Sequence, residues 1–133
     1  MSFEFNRNLQ DANYVSTVAI AQAGANTAAF DLEQAIGGDI EKVVFELSAP
    51  AAAGITDAKV VTYALQDSAD GSSWAAVDPS ITTTQTAAGG AGITAKSIRF
   101  RLPVNTRRYV RIAQTMTSSA GTVTGSMVAR LRF

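Results

Sequence analysis

From Thr122 to Phe133 apolar and polar side chains take turns. Val123, Met127, Ala129, Leu131 and Phe133 share one parity; Thr122, Thr124, Ser126, Arg130 and Arg132 share the other. Successive side chains of a β-strand point to opposite faces, whereas a helix repeats every ~3.6 residues. The pattern therefore predicts a strand with one face on a core, running to Phe133. Gly125 interrupts the apolar row and marks a bulge or a close approach of another segment.

The same alternation recurs upstream. Val43, Phe45 and Leu47 alternate with Lys42, Glu46 and Ser48, and Val61, Tyr63 and Leu65 with Thr62 and Gln66. Ile98, Phe100 and Leu102 alternate with Arg99 and Arg101, and Val110 and Ile112 with Tyr109 and Arg111. Tyr14 to Ile20 and Ala28 to Leu32 read as earlier strands, and Ile81 to Thr86 as a weaker edge strand. Turn chemistry separates them at Ala23 to Asn26, Gly37 to Asp39, Ala49-Pro50, Ser68 to Gly71, Gly89 to Gly92 and Ser118 to Gly121. A single helical turn fits Glu33 to Ile36. About eight or nine strands at this spacing predict an all-β, two-sheet antiparallel sandwich, with a jelly roll as the expected topology.

Composition limits the chemistry more than the fold. With 133 residues and 47% hydrophobic content, the chain has the length of one domain and enough apolar side chains for a core. There is no cysteine, so no disulfide or thiolate metal site forms. There is no histidine, which removes the usual proton shuttle near neutral pH and the commonest transition-metal ligand. Serine–histidine and cysteine–histidine nucleophile systems are excluded; carboxylate-only chemistry is not. The expectation is a protein that binds or assembles, with no catalytic residue, no cofactor and no metal. The first residues show no basic segment followed by an apolar one, and no stretch reaches the roughly 18 apolar residues of a membrane span. The chain is expected to be soluble and unprocessed.

Charge is divided along the chain. Residues 1–78 hold all 11 acids and three bases, a net −8; residues 79–133 hold eight bases and no acid, a net +8. Late strands of an antiparallel sandwich commonly pair with early ones, so the two halves are expected to meet across strands. Contact between the acidic part of one subunit and the basic part of the next is a second possibility. Too few aromatics lie among the arginines for a single-stranded nucleic-acid platform.

Three segments stand outside the alternation. Residues 1–12 are polar around Phe3 and Phe5 and read as an N-terminal arm ahead of a single domain at 13–133. Phe3 and Phe5 either pack on a neighbouring subunit or form a first strand of the chain's own sheet. Thr82 to Gly92 reads as a long loop beyond its weak strand signal, and Ala49 to Thr56 as a small, apolar loop suited to contacts. Phe3, Phe5 and Arg7 of the arm, with Arg107 and Arg108, are the candidate contact residues.

Other constellations resolve into ordinary structure. Gly89-Gly90-Ala91-Gly92 lacks the Lys-Ser/Thr pair and following helix of a phosphate loop. Asp67 and Asp70 flank a turn, but a calcium site needs about six to eight oxygens, so Asx-type turn bonding is the simpler expectation.

Two stretches carry a resemblance. Leu65-Gln66-Asp67-Ser68-Ala69-Asp70-Gly71-Ser72-Ser73-Trp74 ends a strand in a Ser-x-Asp-Gly-x-x-Trp turn. Leu102-Pro103-Val104-Asn105-Thr106-Arg107-Arg108-Tyr109-Val110-Arg111-Ile112 leads into an Arg-Tyr-Val-Arg-Ile strand. With Gly121 to Gly125 they make residues 12–133 resemble the small jelly-roll cement, or decoration, proteins of tailed phages, of the Bordetella podophage type. The resemblance implies a virion protein, assembled in the bacterial host cytoplasm. Such a protein sits as a dimer or trimer on the outside of the capsid and bridges copies of the major capsid protein. It implies neither a nucleic-acid nor a membrane partner. Holding several capsid subunits at once raises effective concentration, so modest contacts suffice. The same stretches also resemble discoidin-type carbohydrate-binding domains, but the chain lacks their cysteine pair and aromatic loops. A head-fibre or tail subunit is a further alternative.

Overall fold

The C-terminal strand lies inside a sheet and not at its edge. A computed structural model describes residues 14–32, 43–77, 80–117 and 123–132. Among the described residues ten strands form two antiparallel sheets: β1 (Val15–Ala19), β2 (Ala25–Asn26), β3 (Phe30–Asp31), β4 (Val44–Ala49), β5 (Val60–Ser68), β6 (Ala75–Ala76), β7 (Thr82–Thr86), β8 (Lys96–Arg101), β9 (Tyr109–Met116) and β10 (Ser126–Arg132). One sheet runs β1-β10-β4-β8; the other runs β2-β9-β5-β6, with β3 also on β9 and β7 also on β5.

Taking β2–β3 and β6–β7 each as one interrupted strand leaves eight. Their order is first, eighth, third, sixth in one sheet and second, seventh, fourth, fifth in the other. That is the order of a jelly roll, so the predicted class and topology are those observed. The two-residue strands β2 and β6 were not resolved in sequence, because Ala25-Asn26 and Ala75-Ala76 carry no alternation to read.

Alternation translates directly into burial. Met127, Ala129 and Leu131 of β10 are buried, as are Phe45 and Leu47 of β4, Val61, Tyr63 and Leu65 of β5, and Val110 and Ile112 of β9. Phe45 lies at the centre, stacked on Phe100 with ring centroids 5.3 Å apart and edge-on to Phe30 at 5.8 Å. Each large side chain removed from water here contributes about 1.5–3 kcal/mol. Gly125, at φ +104°, is the close approach that its place in the apolar row foretold: a Cβ there would lie 2.9 Å from Pro50 Cβ.

Polar side chains finish the inner rows where the sandwich opens. The buried row of β9 ends on Gln114, whose amide accepts from Ala21 N at 3.0 Å and donates to Ala21 O at 3.1 Å, as a neighbouring strand would. Buried Gln85 on β7 accepts from Tyr63 Oη at 2.7 Å and donates to Pro50 O and Thr94 O. Burial raises the Tyr63 phenol above its ordinary range.

Two loop expectations are narrowed. Thr82–Thr86 is strand β7, paired with Val60 to Ala64 of β5, as the edge-strand reading of Ile81 to Thr86 expected, so the loop expected over Thr82 to Gly92 is confined to the residues after it. The Ala49–Thr56 loop is exposed only in part: Ala51, Ala53, Gly54 and Thr56 face solvent, whereas Ala49 belongs to β4 and Ala52 and Ile55 are buried in the core. Ala52 bridges Ile93 through backbone hydrogen bonds in both directions, which draws the segment inward. The Glu33–Ile36 turn, the Gly37–Asp39 and Ser118–Gly121 turns, and Phe133 lie outside the described residues.

Candidate functional site: two outward sheet faces

A jelly roll presents two outward sheet faces, and on this chain they differ. On the first sheet the outward residues of β4, β8 and β10 include Glu46, Arg99, Arg101, Arg130 and Arg132. Pairing sets Arg130 opposite Glu46 and Glu46 opposite Arg99. Glu46 accepts from Arg132 Nε at 3.0 Å and from Arg130 Nη1 at 3.5 Å, and forms an ion pair with Arg99, whose Nε lies 3.0 Å away. Only 8% of the Glu46 side chain is exposed, against 66% of Arg99. One shielded carboxylate thus anchors an arginine face. Alternation had already put these arginines outward; what it could not supply is that β8 and β10 flank β4, which gathers them around one acid.

The outward face of the second sheet is largely neutral. Thr62 lies opposite Thr84 and Thr115, and Ala64 opposite Ala113. Beside it Arg111 donates from Nε to Gln66 Oε1 at 2.9 Å and lies 4.3 Å above the Trp74 ring. Burial lowers the Arg111 pKa. The Ser68–Trp74 turn is held by Asp70 Oδ1, which accepts from Ser72 N, Ser73 N and the Ser68 hydroxyl. These bonds bring the Asp70 pKa down to about 2. The Asx reading of this turn is therefore the observed one, and Asp67 is engaged elsewhere. Among the described residues no cluster of three acids is placed to hold a metal ion.

The charge division is used within the subunit. Asp67 pairs with Arg107, Asp31 with Arg108, and Glu46 with the three arginines, each an early acid meeting a late base. Of the contact residues named from sequence, Arg107 is half-buried against Asp67, and exposed Arg108 makes a two-pronged bond to Asp31 while lying 5.2 Å from the Tyr109 ring centroid. The structure does not bring them together with the arginine face of the first sheet. Phe3, Phe5 and Arg7 lie outside the described residues. A shallow recess of about 220 Å³ beside Lys96, lined also by Thr84, Gln85 and Thr94, carries no converging charged groups.

No family model matches the sequence, and no curated protein does. Among solved structures the chain is similar to one described as "CBM4 structure and function", at 14% identity and a TM-score of 0.40. The match covers 86% of this chain and 65% of that one. The fold assignment therefore stands on the strand order itself.

Proposed function

We propose that the chain is a capsid cement, or decoration, protein: a non-catalytic subunit that binds the outer surface of a tailed phage's major capsid protein lattice and stabilises the head. The observation that carries this reading is the broad arginine face of the first sheet, anchored by a shielded acid. An exposed sheet face of that kind suits docking on another macromolecule more than enclosing a small one. The resemblance of the Ser68–Trp74 turn and the Arg108–Ile112 strand to the cement proteins supports the same role. In this reading the protein acts as a dimer or trimer on the virion surface and gains its hold by bridging several capsid subunits.

Co-sedimentation with heads assembled from the major capsid protein of the same genome tests the proposal. The expected result is saturable binding to assembled heads, little binding to free capsid subunits, and decorated heads that survive higher temperature than bare ones. A protein that stays monomeric and is left in the supernatant at every head concentration sinks it.

A further inference from the structure

Among the described residues the arginine face of the first sheet is short of acceptors. Cross-strand pairing lays it out in two rows, Arg130–Glu46–Arg99 and Arg132–Val44–Arg101. In the first row a carboxylate stands between two guanidinium groups. In the second the corresponding place is held by half-buried Val44. Strands lie about 4.8 Å apart and advance about 3.3 Å per residue, so each row places its arginine Cα atoms about 10 Å apart, and the rows are about 7 Å apart.

Glu46 is already divided among three partners, at 3.0, 3.5 and 3.0 Å. Arg130 Nε is buried and has no acceptor among the described residues. The side chain of Arg101 is exposed and makes no hydrogen bond or ion pair among the described residues. We infer that a carboxylate side chain of an acidic protein surface docks over Val44, between Arg101 and Arg132, and repeats in the second row what Glu46 does in the first. The inference rests on the reading of the chain as a protein that binds an assembled shell, and names the face and the chemical group involved.

Chemistry on the face selects a protein carboxylate over other anions. Glu46 shows that guanidinium groups on this face already take a carboxylate as partner, with hydrogen bonds from Arg130 and Arg132 and an ion pair with Arg99. The described outward residues of β1, β4, β8 and β10 include no aromatic ring on which a sugar or a base would stack. The arginines form a compact block around an acid, and not a stripe that follows a phosphate backbone.

Two substitutions test this from opposite directions. Val44→Glu places a carboxylate of the chain's own in the second row; Arg101→Glu reverses the charge of a side chain with no partner to lose among the described residues. Thr62→Glu, outward on the other sheet, is the control. Each protein is titrated against assembled heads, poly-L-glutamate, heparin and duplex DNA at several salt concentrations. The expected result is that Val44→Glu and Arg101→Glu each weaken binding to heads and poly-L-glutamate by roughly tenfold or more, while Thr62→Glu leaves both unchanged.

If all variants bind heads equally, this inference fails and the cement reading survives. If heads are ignored but poly-L-glutamate binding falls in the two variants alone, the inference stands and the cement reading fails. A preference for heparin or DNA over poly-L-glutamate at equal ionic strength overturns the assignment to an acidic protein. So does the absence of any poly-L-glutamate binding that depends on Val44 and Arg101.

Discussion

Arg107 holds Asp67 at four points across 40 residues of chain. Its backbone N donates to Oδ2 at 3.0 Å, Nε to Oδ1 at 3.0 Å, and Nη2 both to Oδ1 at 2.7 Å and to the Asp67 carbonyl at 3.0 Å. Asp67 continues the inner row Val61, Tyr63, Leu65, so that row ends on a carboxylate at the mouth of the sandwich, and Arg107 closes it. The bond to Asp67 raises the Arg107 pKa. The two partners are unequally shielded, with 33% of the Arg107 side chain exposed but only 7% of Asp67.

That asymmetry predicts an order of mutational cost. Arg107→Ala leaves a shielded carboxylate with one backbone donor and is expected to cost about 3 kcal/mol. Asp67→Ala leaves a guanidinium that water reaches and is expected to cost about 1–2 kcal/mol. Urea unfolding of both variants and the double variant checks this. A larger loss for Asp67→Ala would refute the account.

Gln85 predicts a second, separate loss. Gln85→Leu strands the Tyr63 hydroxyl and two carbonyls that its amide satisfies inside the protein. The expected cost is about 3 kcal/mol, whereas Tyr63→Phe, which leaves only the Gln85 oxygen without its donor, is expected to cost about 1 kcal/mol. Thermal unfolding followed by circular dichroism ranks the two. Hydrogen exchange in Gln85→Leu should rise first around Pro50 and Thr94, because the amide ties those segments to β7.

The Ser68–Trp74 turn predicts an acid-sensitive element. The Asp70 pKa lies at about 2, below its ordinary 3.8, because the Ser73 and Ser72 amides and the Ser68 hydroxyl favour the charged form. A group whose pKa falls on folding stabilises the fold above its unfolded pKa and loses that contribution as pH drops through the folded one. The turn should therefore be fully held above about pH 5 and released between about pH 4 and pH 2. Carboxyl chemical shifts of Asp70, with amide exchange at Ser72 and Ser73, follow it directly. Asp70→Ala should show fast exchange at those two amides at every pH.

Most of the fold was legible because its long strands each bury one face. Val61–Leu65 and Met127–Leu131 report burial through parity alone, and Asp70-Gly71 announces its turn through side-chain chemistry. The edges were less legible. Strand β7 reads Thr82-Thr83-Thr84-Gln85-Thr86, and its single buried member is a glutamine, so no apolar parity marks it. In the Ala49–Thr56 loop small apolar residues carry no sign of which side they face, so the burial of Ala52 and Ile55 was not readable. For the arginine face, the residues and their orientation were readable, but the neighbour order β10-β4-β8 was not. Distant pairing is set by the whole sandwich and leaves no local trace in any one strand.

Trp74 supplies the test that separates protein docking from sugar binding. It is the single tryptophan of the chain, so fluorescence reads it without interference. The guanidinium of Arg111 lies 4.3 Å above its ring and is steered there by Gln66, so that face of the ring is taken. Arg111→Ala should uncover it. The emission should move to longer wavelength and acrylamide quenching should rise, at a stability cost of about 0.5–1 kcal/mol. With Arg111 in place, titration with a panel of oligosaccharides should leave the emission unchanged into the millimolar range, because Arg111 already occupies one of the two ring faces on which a sugar would stack. A saturable shift in the unmutated protein, abolished by Trp74→Ala, would instead move the chain to the carbohydrate-binding modules.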